Sequence, residues 1–152
     1  MSNKQIEYFK LQAKNLYRDY KTQQSYIDET DGQSYYQYSP KYFDIELLFL
    51  ELDWNEENFS LMKAQHLIAN MVGFNKWADL LKANPEEQEL AHLLLDNQEK
   101  IHLEDWKMYI DEIEHHNNVV LDSSSKLEIF KKVFLEEDGH HSTFPPYKIS
   151  KK

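Results

Sequence analysis

A mainly α or all-α single domain is what this sequence predicts, and three observations carry that reading. Apolar residues recur at helical spacing along most of the chain, and several of those runs open on a residue suited to cap a helix. Glycine and proline are scarce, 3 and 4 among 152 residues, too few for the many tight turns of an all-β fold. The expected architecture is a bundle of about six to seven short helices forming one domain over 1–139. A small hairpin is expected within 23–40 and a C-terminal tail over 140–152.

The elements follow in order. Ile6, Phe9, Ala13, Leu16, Tyr17 and Tyr20 form one apolar stripe, so a helix is expected from Lys4 to Lys21. Lys10, Lys14, Arg18 and Lys21 lie along one flank of it. Between Thr22 and Pro40 the chain turns polar and tyrosine-rich, with Asp31-Gly32 as a turn signal; this is the place for β structure. Tyr42 to Leu52 is short and apolar, and its leucines and spaced acids favour helix over strand. Asn55 to Asn58 break it.

Ser60 caps the next helix, whose apolar face holds Ala64, Leu67, Ile68 and Met71, and Gly73 suits the left-handed position that ends it. Asn75 is placed to cap a short successor carrying Trp77, Leu80 and Leu81. Asn84-Pro85-Glu86-Glu87 combines an Asn cap, Pro at the first helical position and Glu at the third. A further helix from about Glu104 to His115 groups Trp106, Ile110 and Ile113. Asp122 opens the last, with Leu127, Phe130 and Phe134 as its stripe and Gly139 as its stop.

Composition narrows the function classes. An apolar content of 41% and an aromatic content of 14% argue for a packed core, despite a mean hydropathy of −0.77. The absence of cysteine removes disulfides, thiol nucleophiles, Fe–S clusters and Cys-ligated zinc. The start MSNKQIEYFK has no apolar leader core, and no run of about 18 apolar residues occurs. The expectation is therefore a cytoplasmic protein without a membrane partner. A formal charge of −10 opposes phosphate contacts and argues against nucleic acid.

The charge is uneven. Residues 1–21 hold five cations against Glu7 and Asp19, a net of +3. Residues 42–62 hold six acids, Asp53 among them, and no base, a net of −6. Residues 86–114 hold ten acids against Lys100 and Lys107, a net of −8, and 140–152 returns to +3 with Lys148, Lys151 and Lys152.

Two pieces carry a family resemblance. Phe9-Lys10-Leu11-Gln12-Ala13-Lys14 is similar to an "LKxQAK" opening helix. Ser60-Leu61, Ala64-Gln65, Ile68-Ala69, Gly73-Phe74, Trp77 and Leu80 are similar to "S-L-x-x-A-Q-x-x-I-A-x-x-x-G-F-x-x-W-x-x-L". Together they resemble a small helical domain of bacterial proteins, sometimes labelled glyoxalase-related, over roughly 9–14 and 60–81. The resemblance implies a helical corner in which Ala packs closely, Gly stops the helix, and Phe and Trp wedge the turn. It implies no activity and no catalytic residue. This chain departs from it by the long segment 22–58 and by 85–152.

Several constellations compete for the chemistry. Glu89-x-x-His92 and Glu112-x-x-His115 match a spacing that di-iron bundles use twice. On helices, however, both pairs fall away from the leucine and tryptophan faces, which suits solvated surface. The doublets His115-His116 and His140-His141 offer one ligand each, since neighbours on a helix diverge by about 100°. His66 falls on the polar side of its helix and is expected to be exposed. Ser123-Ser124-Ser125 reads as a helix start, and no nucleophile elbow or phosphate-binding glycine loop is present. The helix–Gly–helix at 60–81 has only Lys76 and Lys82 on its second helix, with Asp79 between them, poor chemistry for DNA.

What remains is protein binding. Tyr35, Tyr36, Tyr38 and Tyr42, with Phe43, are concentrated in a segment flanked by Gly and Pro, and such aromatics serve as interface anchors. The same rings serve equally well as a lid on the helical core, and the sequence leaves both uses open. Lys10, Lys14 and Arg18 form the accompanying basic stripe. The reading is a non-catalytic binding or regulatory module without cofactor or metal, meeting an unidentified and basic protein partner, in the manner of an acidic immunity protein or antitoxin. The alternative is a metal-binding protein or hydrolase using His and Glu on the helices over 85–116.

Overall fold

The computed structural model of the chain describes residues 4–52 and 56–149. Asp53, Asn55, Lys151 and Lys152, used in the readings above, lie outside the described residues. The architecture is mainly helical, with seven α-helices and one two-stranded antiparallel hairpin among the described residues. No helix among them is long and apolar enough to cross a membrane.

Helix α1 (Lys4–Tyr20) packs chiefly on α3 (Leu61–Met71), and also on α2 (Ile45–Leu52) and α5 (Pro85–Asp96). Its buried stripe contains Phe9, Ala13 and Leu16 as the periodicity predicts, but also three polar residues, Gln12, Asn15 and Asp19. The hairpin follows, β1 (Gln24–Ile27) against β2 (Ser34–Gln37), with Tyr26 opposite Tyr35 and Ser25 opposite Tyr36. Its turn is built by aspartates. Asp28 Oδ1 accepts from the N–H and hydroxyl of Thr30, Asp31 Oδ1 accepts from the Gln33 N–H, and Gly32 takes a φ of +70°.

The chain then returns to α1 through Asp19, which is only 2% exposed. Its carboxylate accepts the backbone N–H groups of Lys41, Tyr42 and Phe43 at 3.0, 2.6 and 2.8 Å. A buried charge is tolerable here because three donors solvate it. Asp44 starts α2 by accepting from the Leu47 N–H at 3.2 Å. The short apolar run is therefore a helix, covering the core with Ile45 and Leu48.

Helix α3 begins at Ser60, whose hydroxyl accepts from the Lys63 N–H, and stops before Gly73 at a φ of +97°. The short α4 (Trp77–Lys82) corrects one expectation. Its N-cap is Lys76 rather than Asn75, and the Trp77 N–H donates to His66 Nδ1 at 3.3 Å. His66 is thus half-buried and occupied, not simply exposed. Helix α5 has the full capping box of Asn84 and Glu87. Helix α6 (Leu103–Asn117) starts one residue earlier than the sequence suggests, because His102 Nδ1 accepts from the Glu104 N–H, and it ends at a left-handed Asn118.

Asp122 caps α7 (Ser123–Phe130), which widens into one π-helical turn over Lys131–Leu135. Trp106 meets Phe130 and Phe134 edge-on, with ring centroids 5.2 and 6.0 Å apart, fastening α6 to α7. After Gly139 the chain runs back over the helices. Ser142 N–H donates to the Glu99 carbonyl, Asp44 N–H to the Tyr147 carbonyl and Ile149 N–H to the Tyr42 carbonyl. The Tyr147 and Lys148 N–H groups share Gln98 Oε1 at 2.9 and 3.0 Å. The described part of the segment expected as a tail is hydrogen-bonded to the rest of the fold at Ser142 and over 147–149, and Tyr147 is buried.

Candidate functional site

The structure separates the tyrosine-rich segment into two parts. Tyr38 turns inward beside Tyr20 and Phe49, and its hydroxyl donates to Glu56 while accepting from Gln23 at 2.9 Å. Burial, together with the Glu56 hydrogen bond, pushes its phenol above the ordinary 10.0. Tyr42 is half-buried and its N–H is held by Asp19. These two rings serve the core. Tyr35 and Tyr36 remain on the hairpin, Tyr36 with its hydroxyl 3.3 Å from Glu57.

The outer end of the hairpin is open. Tyr26 and Tyr35, directly paired across the strands with ring centroids 6.0 Å apart, are 43% and 41% exposed, and Ile27 is 70% exposed. The Tyr35 hydroxyl donates to Asp31, which holds that carboxyl below and the phenol above their ordinary values. The tip is thereby preorganised around its exposed rings. Within 24–37 it carries Asp28, Glu29 and Asp31 and no base. Among the described residues both strands also keep one edge without a sheet neighbour.

Lys10, Lys14 and Arg18 all lie exposed on α1. Lys10 stands 4.0 Å from Glu7, and Lys14 and Arg18 have no carboxylate partner among the described residues. Arg18 also lines a cleft of about 650 Å³ between α1, the end of α5 and the C-terminal segment, together with Gln12, Asn15, Leu95, Gln98 and Ile149. Tyr42 is the one member of the aromatic set that joins it there.

Asp96 and Lys148, on the wall of that cleft, belong to a polar cluster that the sequence did not bring together. Asp96 accepts from the Tyr8 hydroxyl, from Lys148 Nζ at 2.7 Å and from His92 Nε2 at 3.0 Å. The His92 ring stacks on Tyr8 with centroids 3.5 Å apart, and its Nδ1 lies 2.6 Å from Gln5 Oε1. Burial alone would raise the Asp96 carboxyl. The hydrogen bonds from His92, Lys148 and Tyr8 and the Lys148 charge outweigh it and hold the group well below its ordinary 3.8. Burial, then the Asp96 hydrogen bond and charge, push the Tyr8 phenol far above its ordinary 10.0. The cluster ties α1, α5 and the C-terminal segment together with every Asp96 oxygen engaged, an arrangement suited to holding rather than to proton transfer.

The two Glu-x-x-His pairs do not converge. Glu89 pairs with Lys131 at 2.8 Å, His92 faces α1 instead of solvent, and Glu112 and His115 are exposed on α6. Among the described residues no three His, Asp or Glu side chains are grouped so as to hold a metal ion. No local pattern marks the Tyr8–His92–Asp96–Lys148 cluster in the sequence, whereas Gln12, Asn15 and Asp19, amides and an acid set at helical spacing inside an apolar stripe, do mark the buried polar face of α1. No protein-family model, curated protein or solved structure matches the chain.

Proposed function

We propose that this protein is a non-catalytic protein-binding module that presents the tip of its hairpin to a basic partner. One observation carries the reading: Tyr26 and Tyr35 stand paired and half-exposed beside Ile27 on a hairpin that covers no core. A two-stranded hairpin alone gains little from its own contacts. Aromatic area held rigid and left in water is the usual material of an interface hot spot. Three acids and no base at the tip suit a cationic partner surface, in the manner of an acidic immunity protein or antitoxin.

The resemblance to the bacterial helical domain belongs to this proposal. Its first piece falls on α1 and its second runs from α3 through α4, with α1 and α3 the most extensively packed helix pair, which supports the likeness and adds no activity. The metal-protein or hydrolase alternative has weaker support, with Glu89 tied to Lys131 and His92 held between Gln5 and Asp96.

The test is affinity capture from native lysate with the wild-type chain and with the double variant Tyr26→Ser, Tyr35→Ser, both checked for equal thermal stability. The expected outcome is one enriched basic protein that the variant loses. Equal capture by both chains contradicts the proposal.

A further inference from the structure

Two exposed helix faces of this chain are opposite in charge and matched in shape. On α6, Met108 is 62% exposed and borders a groove of about 380 Å³ between that helix and the π-helical turn. Tyr109 and Val133, both half-buried, form its apolar wall, and Asp105 and Glu112 stand exposed on its rim. The two acids lie on either side of Met108 along α6, about 10.5 Å apart on the helix axis. Neither has a cation within ion-pair distance among the described residues, and no Lys or Arg lines the groove.

The outer face of α1 has the reverse character. Leu11 is 53% exposed on a helix whose other exposed residues, Lys4, Glu7, Lys10, Lys14 and Arg18, are all charged. Lys14 and Arg18 share its side of the helix, about 4.5 and 10.5 Å further along the axis. Both lack a carboxylate partner among the described residues. Glu7, the acid on that face, is offset by Lys10 at 4.0 Å.

Single exposed apolar residues are ordinary on a protein surface. Here each one is bracketed by unpaired charges, and the two brackets have opposite signs. A contact of α1 with α1, or of α6 with α6, sets like charges against each other and is rejected, whereas α1 with α6 is favoured. Both faces point to solvent within one chain, so the favoured pairing is between two molecules.

We propose that copies of this chain associate with one another, the Leu11–Lys14–Arg18 face of α1 in one docking on the α6 groove of the next. Leu11 enters the groove against Met108, Tyr109 and Val133, and Lys14 and Arg18 meet the carboxylates of Asp105 and Glu112. The net charge of −10 opposes the encounter. A single helix pair also belongs to the class of contact below about 1,200 Å², so the association is weak and reversible. The assignment is independent of the hairpin reading.

The test is sedimentation equilibrium of the full chain from roughly 10 µM to 1 mM, the range of weak contacts. The weight-average mass of the wild type is expected to rise with concentration. Lys14→Glu with Arg18→Glu, and separately Asp105→Lys with Glu112→Lys, are expected to weaken association at least about tenfold. All four side chains are exposed, and each variant is checked for the wild-type melting temperature. The decisive sample is an equimolar mixture of the two variants. It is expected to recover association, because the native groove of the first meets the native face of the second and the two reversed surfaces also match. Leu11→Ser is expected to weaken association several-fold, and Tyr26→Ser with Tyr35→Ser to leave it unchanged. A wild type that stays monomeric throughout, a charge variant that associates as the wild type does, or a mixture that stays monomeric overturns the assignment. Loss of association in the tyrosine variant also overturns it and places the contact at the hairpin.

Discussion

At the scale of single residues, this fold depends on polar groups placed where periodicity leads one to expect hydrocarbon. Asp19 is the clearest case, a carboxylate buried within the α1 stripe and solvated by three backbone N–H groups of residues 41–43. Asp19→Ala leaves those donors without an acceptor, and the expected loss is about 3 kcal/mol, read as a lower urea midpoint. Asp19→Asn keeps an acceptor and is expected to lose less. The tyrosines form a second set. Tyr8, Tyr38 and Tyr147 each donate to a carboxylate, of Asp96, Glu56 and Glu51, and burial pushes each phenol above its ordinary 10.0. A group whose folded-state pKa is raised stabilises fully below its unfolded value and loses that contribution as pH climbs through the folded one. The urea midpoint is therefore expected to hold up to about pH 9 and to fall above about pH 10. Tyr8→Phe makes that alkaline fall shallower. A midpoint that stays flat through pH 11 or so contradicts the phenol–carboxylate account.

At the scale of elements, the helix ends show what local sequence can reveal. Ser60, Asn84 and Asp122 accept from the N–H three residues on, and Gly73 has the positive φ that a helix stop requires. Those rules act over three or four residues, so a single sequence exposes them. The caps supplied by His66 and His102 were not legible, because nothing local marks a histidine ring as an acceptor. The inward turn of His92 was illegible for a related reason. Its partner ring, Tyr8, lies 84 positions away on α1, and the helical spacing of α5 alone places His92 away from the leucine face. The return of residues 142–149 along Tyr42–Asp44 and Gln98 likewise rests on contacts distant in sequence. The hairpin was legible as turn chemistry at Asp31-Gly32, but the division of its tyrosines was not. Tyr35 stays on the exposed hairpin, while Tyr38 lies beyond the end of β2, where the chain returns beside Tyr20 and Glu56. Purified partner in hand, Tyr26→Ser with Tyr35→Ser is expected to weaken binding tenfold or more. Global stability should shift by less than about 1 kcal/mol, because the pair is exposed and worth roughly 0.2–1 kcal/mol across the strands.

At the scale of the whole molecule, a net charge of −10 sits on a helical scaffold with its acids spread across α2, α5 and α6 and its tip acids on the hairpin. Such a field speeds the encounter with a cationic protein far more than it tightens the final complex. Neutralising the exposed Glu29 and Glu57 to Gln is therefore expected to slow association several-fold at low salt, with little change in dissociation, and the difference should fade in high salt. Stopped-flow association at two ionic strengths reads this directly. An association rate indifferent to both the substitutions and salt contradicts electrostatic steering. The most direct test of the central claim is a photo-crosslinking side chain placed at Tyr35 in the living cell, with the same group at the exposed Glu128 on α7 as the control. The account predicts one prominent, basic adduct from position 35 and none from position 128. No adduct at 35, or the same adducts from both positions, contradicts a hairpin that exists to bind.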